Sequence, residues 1–217
     1  MHSRPTINHL YSELRQQIVS RSIPPGTKFS ESLLSKKWKV SRTPIREVLR
    51  RLESEDLVIY QPYKGFVVNP ITIADIDQLY TIRISLEGLA GRLATPIISQ
   101  DSKKFKVLEK LCKEMERLFK KGDIEAYIAK NNEFHSYILH SCENKWLVKM
   151  LENLNSQVNR FIVKALHVPH RMEKSLQEHQ EIYKRLRTGN AKGAEKAIQT
   201  NHRKALEDLK RELTDKI

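Results

Sequence analysis

Two groups of residues in this chain have the types and the spacing to do chemistry. In the first, Arg42, Thr43 and Arg46 crowd the start of the segment Val-Ser-Arg-Thr-Pro-Ile-Arg-Glu-Val-Leu-Arg-Arg-Leu-Glu, residues 40–53. Guanidinium and hydroxyl groups gathered at a helix start can reach phosphates and base edges. In the second, Asn131 and His135 stand four residues apart, hence on one helix face, while His179 and His202 fall mid-helix in two later segments. Three imidazoles and one amide oxygen form a donor set for a first-row divalent cation such as zinc, nickel or copper. The same four residues also suit a hydrogen-bonded polar core or histidines on helix surfaces, and spacing alone leaves both readings open. Neither group contains a His-Glu-x-x-His motif or a nucleophile with its base, so no catalytic residues are expected.

Each group needs elements to hold it. Ser41 can cap a helix that carries Pro44 in its first turn, where N–H groups have no intrahelical partner. Val48, Leu49 and Leu52 give that helix an apolar face, leaving Arg46 and Arg50 outside. Before it, Leu33, Leu34 and Trp38 recur on one side of a short helix over 31–38, with Lys39-Val40 as the turn. Ile7, Leu10, Tyr11, Leu14 and Ile18 mark an earlier amphipathic helix over 7–20 that Pro24-Pro25-Gly26 ends. Residues 57–60 and 65–68 are short apolar runs joined by Gln61-Pro62-Tyr63-Lys64, the pattern of a hairpin. Three helices and a hairpin in this order describe a winged helix-turn-helix with Lys64 and Gly65 at the wing tip. Tyr60, Tyr63 and Phe66 are expected to pack the hairpin on the helices.

The order is not accidental to one known group. Residues 40–49, Val-Ser-Arg-Thr-Pro-Ile-Arg-Glu-Val-Leu, followed by Arg51-Leu52, Leu57-Val58 and Gly65-Phe66-Val67, resemble the signature of GntR-family bacterial transcription regulators. The resemblance implies DNA contacts at Ser41, Arg42, Thr43, Pro44 and Arg46, and at Lys64 and Gly65 in the wing. The chain departs from the pattern at Asp56, where the family usually has glycine, at Ser32, where some members place arginine, and at Val48, where alanine is usual.

Length and charge agree with a DNA-binding half. The 217 residues allow two modest domains, and the character changes near Asn69-Pro70, giving 1–69 and 70–217. Residues 1–69 hold 12 Lys+Arg against 6 Asp+Glu, and residues 70–217 hold 27 against 20 over about twice the length. Positive charge is thus densest at the front, as a polyanion partner requires, although charge alone also fits RNA or anionic lipid. The start, Met-His-Ser-Arg-Pro-Thr, lacks a long apolar core, and no later segment approaches the ~20 apolar residues that span a bilayer, so a cytoplasmic protein without a membrane partner is expected. Cys112 and Cys142 lack Cys-x-x-Cys spacing and read as two reduced thiols.

From Ile71 onward the pattern is all-α. Thr72 with Asp75 starts a helix whose inward positions are Ile76, Leu79, Ile82, Leu86 and Leu89 or Ala90, ended by Pro96. Further helices are expected over 99–121 (closed by Gly122), 123–141, 145–166, 171–188 and 190–213. The fold class is therefore mainly α, a winged helix-turn-helix followed by a six-to-seven-helix bundle. His167 and His170 flank Pro169 and read as an exposed loop, and His140 falls off the His135 face.

The bundle also carries a resemblance. Asn131-Asn132-Glu133-Phe134-His135, then Asn144, Leu147, Glu178-His179, Gly189-Asn190 and Asn201-His202, resemble the FCD-type effector domain of the FadR-like GntR subfamily, whose pattern Tyr80, Arg83 and Glu87 also match. Metal-binding members place an Asp or Asn and three His at these positions. The resemblance thus implies a divalent cation, zinc or nickel first, on Asn131, His135, His179 and His202. It implies a small-molecule effector, a carboxylate by the chemistry of such a site, with Arg83 as a second anchor; an ion pair of Arg83 with Glu87 is the alternative for that residue. The expected protein is a homodimeric regulator, more in keeping with a repressor, on a palindromic double-stranded operator. A metal-dependent enzyme using the three histidines, and a metal-free effector-binding regulator, are the competing readings.

Overall fold

The computed structural model describes residues 6–70, 72–166 and 171–214. The first five residues and the His167-Val168-Pro169-His170 segment lie outside the described residues. The chain divides into two compact units, 1–72 and 73–217, each considered by itself.

In the first unit, α1 (Ile7–Val19), α2 (Glu31–Trp38) and α3 (Arg42–Glu53) precede a two-stranded antiparallel sheet of β1 (Val58–Gln61) and β2 (Gly65–Val68). Thr6 and Ser30 cap α1 and α2 through their hydroxyls. Leu10, Leu14 and Ile18 of α1 meet Ile45, Val48, Leu49 and Leu52 of α3 in one core, closed by Leu57, Val58, Phe66 and Val68. The strands pair with Val58 opposite Val68 and Gln61 opposite Gly65. The pairing continues onto the segment after Pro24-Pro25-Gly26, which the sequence marks only as the end of the first helix: Phe29 N–H donates to Phe66 at 2.8 Å, and Gly26 N–H to Val68 at 2.9 Å. This ties the loop after α1 to the wing.

Asp56 stands where the family pattern has glycine, and its φ of 56° is the left-handed conformation that glycine favours. Aspartate is among the few other residues that enter this region readily. Three expectations fail here. Leu33 is 67 % exposed, because two adjacent residues on a two-turn helix point about 100° apart and Leu34 takes the inward position. Tyr63, at the wing tip with φ 63°, is fully exposed rather than packed. Ser41 is the N-cap residue of α3, but its hydroxyl makes no capping bond.

The second unit contains α4 (Ile73–Gln100), α5 (Ser102–Lys121), α6 (Ile124–Ser141), α7 (Lys145–Leu166), α8 (Arg171–Arg187) and α9 (Ala191–Thr214). Pro96 does not end α4, and α5 starts at 102 rather than 99. Pro96 is on the exposed side, where the carbonyl it leaves without an N–H partner can face solvent, while buried Ala94 and Ile98 continue the packed stripe past it. That stripe runs Ile76, Tyr80, Arg83, Glu87, Ala90, Ala94 and Ile98, so Ile82, expected inward, is 52 % exposed. Asp101 and Asp123 cap α5 and α6, and Gly122 closes α5 at φ 67°. Gly88 and Gly91 let α9 lie close to α4: a Cβ on Gly91 would stand 2.2 Å from Ile198 Cδ1, and one on Gly88 2.7 Å from Gln199 Cγ. No helix among the described residues is long and apolar enough to cross a membrane.

Candidate functional site

The first candidate surface is the start of α3 and the wing. The apolar side of α3 is spent on the core, so Arg42, Thr43, Arg46 and Arg50 face outward and Pro44 is half-buried. Ser41 is exposed, its hydroxyl unused for capping. Lys64 is exposed at the wing tip, and Gly65 follows at φ 78°, a backbone position that glycine supplies without strain. Arg50 lies over the rings of Tyr60 and Phe66, 5.4 and 5.3 Å from their centroids, which braces the wing against α3. Arg46 is held in a two-bond pair with Glu31 of α2, at 3.1 and 2.8 Å. That contact sets the Arg46 side chain alongside the preceding helix, a feature that the sequence reading did not include.

The second candidate site is buried in the bundle. The close α4–α9 approach over Gly88 and Gly91 brings His202 of α9 to Glu87 of α4, with Nε2 3.3 Å from Oε2. His135 of α6 enters from another side, its Nδ1 3.5 Å from the same oxygen. One donor atom from each of Glu87, His135 and His202 lies within 4.8 Å of the others. His179 of α8 joins through its Nε2, 3.1 Å from His135 Nε2. The sequence thus names all three histidines that converge. It misses Glu87 as a donor, having placed it as a residue of the resembled pattern and as the helical partner of Arg83; the signal was its place on the same stripe as Tyr80, Ala90 and Ala94.

The carboxylate of Glu87 is divided between two tasks. Oε1 accepts from Arg83 Nε at 3.2 Å and from Asn155 Nδ2 at 3.1 Å, leaving Oε2 toward the two imidazoles. Arg83 is as buried as Glu87 and makes this ion pair, with the Tyr80 ring 5.6 Å from its guanidinium. Asn131 is buried one turn before His135, but its amide donates to Asn132 at 3.3 Å. Its place in a donor set rests on helical spacing.

His179 Nδ1 lies 2.6 Å from the Ser175 carbonyl, which can only accept, so that nitrogen carries the proton and Nε2 keeps its lone pair. Phe134 packs edge-on against the His179 and His135 rings. Burial, reinforced by neighbouring His135, holds His179 well below the usual imidazole range. Burial, then Arg83, brings His202 down to about 4. For Glu87, burial by itself raises the carboxyl, but His202 and Arg83 outweigh it and hold the group well below the usual range. At neutral pH His179 and His202 are therefore neutral and Glu87 is a carboxylate, the protonation states in which these groups can ligate a cation.

The donor chemistry fits a first-row divalent ion. His202 Nε2 is buried with no hydrogen-bond partner among the described residues. Within the set Glu87, His135 and His202, the carboxylate oxygen stands 3.5 and 3.3 Å from the two ring nitrogens, near the about 3.0–3.4 Å expected for neighbouring ligands with bonds near 2.1 Å. His135 can offer a cation one nitrogen only, Nδ1 toward Glu87 or Nε2 toward His179.

The histidine shifts have a consequence for stability. Both are held below their unfolded values, so the unfolded chain binds more protons in mild acid. Stability present above about pH 6.5 is expected to fall as pH drops through the folded values, by about 3 kcal/mol from His202 alone, with Glu87 adding to the loss below pH 4.5. Thermal melts of chelator-treated protein between pH 7.5 and 4 would check this. A melting temperature flat across that window would contradict neutral burial of these rings.

The two cysteines are free, and burial pushes the Cys112 thiol up to about 12, which leaves it a poor nucleophile.

Known proteins account for both units. Residues 6–68 match the family model described as bacterial regulatory proteins, gntR family, and residues 78–203 match the FCD domain. The HTH-type transcriptional regulator YdhC of Bacillus subtilis strain 168 is 31 % identical over 98 % of this chain and 95 % of its own. The HTH-type transcriptional repressor RspR of Escherichia coli strain K12 is 26 % identical over 97 % of this chain and 91 % of its own. Among solved structures, E. coli McbR/YncC shares the fold with a TM-score of 0.80 at 21 % identity, covering 94 % of this chain and 97 % of that one. The chain belongs to the gntR family of bacterial regulatory proteins, with an FCD domain as its helical unit, and is a DNA-binding transcription regulator rather than an enzyme.

Proposed function

We propose that the protein is a cytoplasmic homodimeric repressor whose grip on a palindromic operator is set by a small carboxylate effector bound at a divalent metal centre in the helical domain. Residues 1–69 form the DNA-binding domain in this reading, and residues 70–217 the effector and dimerisation domain. Ser41, Arg42, Thr43, Pro44 and Arg46 contact the major groove and its phosphates, while Lys64 and Gly65 place the wing on the backbone. Similarity to a named repressor supports the sign of regulation. Zinc or nickel would be held by Glu87, His135 and His202 with His179 and Asn131 beside them, and the ion would supply open positions for the effector carboxylate. Arg83 holds Glu87 charged and is the nearby cation for the effector's second anionic group.

The observation that carries the metal reading is His202 Nε2, buried without a hydrogen bond 3.3 Å from a carboxylate oxygen. A metal-free centre is the second reading, favoured by the Arg83–Glu87 pair, which already balances the carboxylate's charge. Metal analysis of the purified protein, coupled to selection of bound duplexes from a random pool with and without chelator, tests both. An enriched palindrome whose binding shifts with chelator supports the first reading. An enriched palindrome with no metal and no shift favours the second, and no enriched sequence removes the operator itself.

Dimerisation is assigned to the exposed apolar side chains of α4 and α7, Ile82, Trp146 and Met150, the last two one turn apart on a single face. Trp146→Asp together with Met150→Asp is expected to shift the protein to monomer in analytical ultracentrifugation and to weaken palindrome binding at least tenfold, while a half-site duplex is bound as before. An unchanged dimer would move the interface elsewhere.

A further inference from the structure

A groove of about 530 Å³ runs between α8 and α9, and the metal centre does not account for it. On α8 its lining residues Lys174, Glu178, Glu181 and Arg185 are spaced four, three and four, so they share one face; Lys196 and Lys204 line it from α9. Gly193 lets the two helices close at the hairpin end, since a Cβ there would stand 2.9 Å from Arg185 Cδ. Four cations against two carboxylates leave the groove with a surplus of two positive charges. Arg185 is paired with Glu181 at 2.6 Å, and Lys204 stands 3.7 Å from Glu178 Oε1. Lys174 and Lys196 are exposed and have no ion-pair partner among the described residues.

The floor carries the second observation. The Glu178 side chain is 7 % exposed, and its Oε2 accepts from Arg171 NH2 at 3.0 Å and Asn201 Nδ2 at 2.7 Å. Its Oε1 is buried with no hydrogen-bond partner among the described residues. Lys204, 3.7 Å away, balances its charge from beyond hydrogen-bond distance. This buried oxygen thus still lacks a donor at close range, which is costly unless one meets it, and the lysines above it are point charges that suit a phosphate.

We propose that this groove is a second ligand site, for a phosphorylated sugar: a dianionic phosphate ester matches the surplus of two charges, and a sugar hydroxyl donates to Glu178 Oε1. Neither carboxylates alone nor neutral polyols satisfy both ends. The site stands apart from the metal-bound effector of the proposed function, although the two share helices: Glu178 precedes His179, and Asn201 precedes His202.

The test is isothermal titration of the full chain, chelator-treated and metal-loaded, with glucose 6-phosphate as probe and inorganic phosphate and glucose as controls. Glucose 6-phosphate is expected to bind at least tenfold more tightly than phosphate, with no heat from glucose. Lys174→Glu and Lys196→Glu, both surface changes that leave the fold intact by circular dichroism, are each expected to weaken it at least tenfold, and His135→Ala to leave it unchanged. The site is overturned if the sugar phosphate binds no better than phosphate, or if both lysine variants keep the parental affinity. Loss of binding in His135→Ala with retention in the lysine variants would overturn it too, by moving the ligand to the metal centre.

Discussion

Replacing Arg42 and Arg46 with alanine is expected to abolish specific operator binding while leaving the helical unit folded. Both side chains are exposed at the start of α3, on the opposite side from the Ile45, Val48, Leu49 and Leu52 core, so their removal takes nothing from packing. An arginine that reads a base edge is worth about tenfold to a hundredfold in affinity, and one that contacts phosphate lowers the salt slope by about one. The two substitutions together should therefore cost about a hundredfold or more for the operator, and bring its affinity down to that of unrelated DNA. Arg46 has a further constraint, because in the DNA-free chain its guanidinium is held by Glu31. Binding must exchange that carboxylate for a base or phosphate acceptor, so Glu31→Gln is expected to strengthen binding to all DNA without improving selectivity. Quantitative gel shifts at two salt concentrations separate these effects. Operator affinity surviving in both arginine variants would remove α3 as the reading helix.

Glu87→Ala is expected to be the most damaging single change in the helical unit. It removes the oxygen that faces His135 and His202, and it strands Arg83, which is 4 % exposed and pairs with nothing else in the cluster as closely. Leaving one member of a buried ion pair alone costs about 3–5 kcal/mol. Glu87→Gln separates stability from chemistry: a carboxamide oxygen can still accept from Arg83 and Asn155, but it no longer brings a negative charge to a cation. That variant should melt above Glu87→Ala after chelation, because the hydrogen bonds survive although the counter-charge to Arg83 does not, yet bind zinc at least about a hundredfold more weakly than the parent, with His202→Ala giving a similar loss. Metal content that is equal in parent, Glu87→Gln and His202→Ala would sink the proposed centre, whereas a melting temperature of Glu87→Ala equal to the parent's would show that Arg83 is not stranded.

Much of this architecture is legible in the chain because helices announce their ends locally. Ser30 and Asp123 are capping residues at observed starts, and Gly122 and Gly189 take positive φ where helices stop. The hairpin is legible for the same reason, since Gly65 supplies the φ of 78° that the turn needs. Errors arise where a local rule meets packing. Pro96 reads as a stop, yet α4 continues because its missing donor falls on the solvent side while Ala94 and Ile98 remain packed. Ile82 reads as core because hydrophobic residues alone define the expected phase, whereas Arg83 and Glu87 occupy the inward face.

By itself, then, the sequence determined the order of elements and the exposed arginines at the start of α3, which follow from periodicity and spacing within single helices, where neighbours three and four apart share a face whatever the rest of the chain does. The three histidines are singled out by resemblance, not by spacing, because they stand on three different helices. Only the tertiary structure decided that Glu87 meets His135 and His202, and that Arg46 rests on Glu31. Each of these is a meeting between different helices, or depends on one. Such meetings are set by how closely the helices approach, at Gly88 and Gly91 for α4 and α9, a distance that no spacing along one helix encodes.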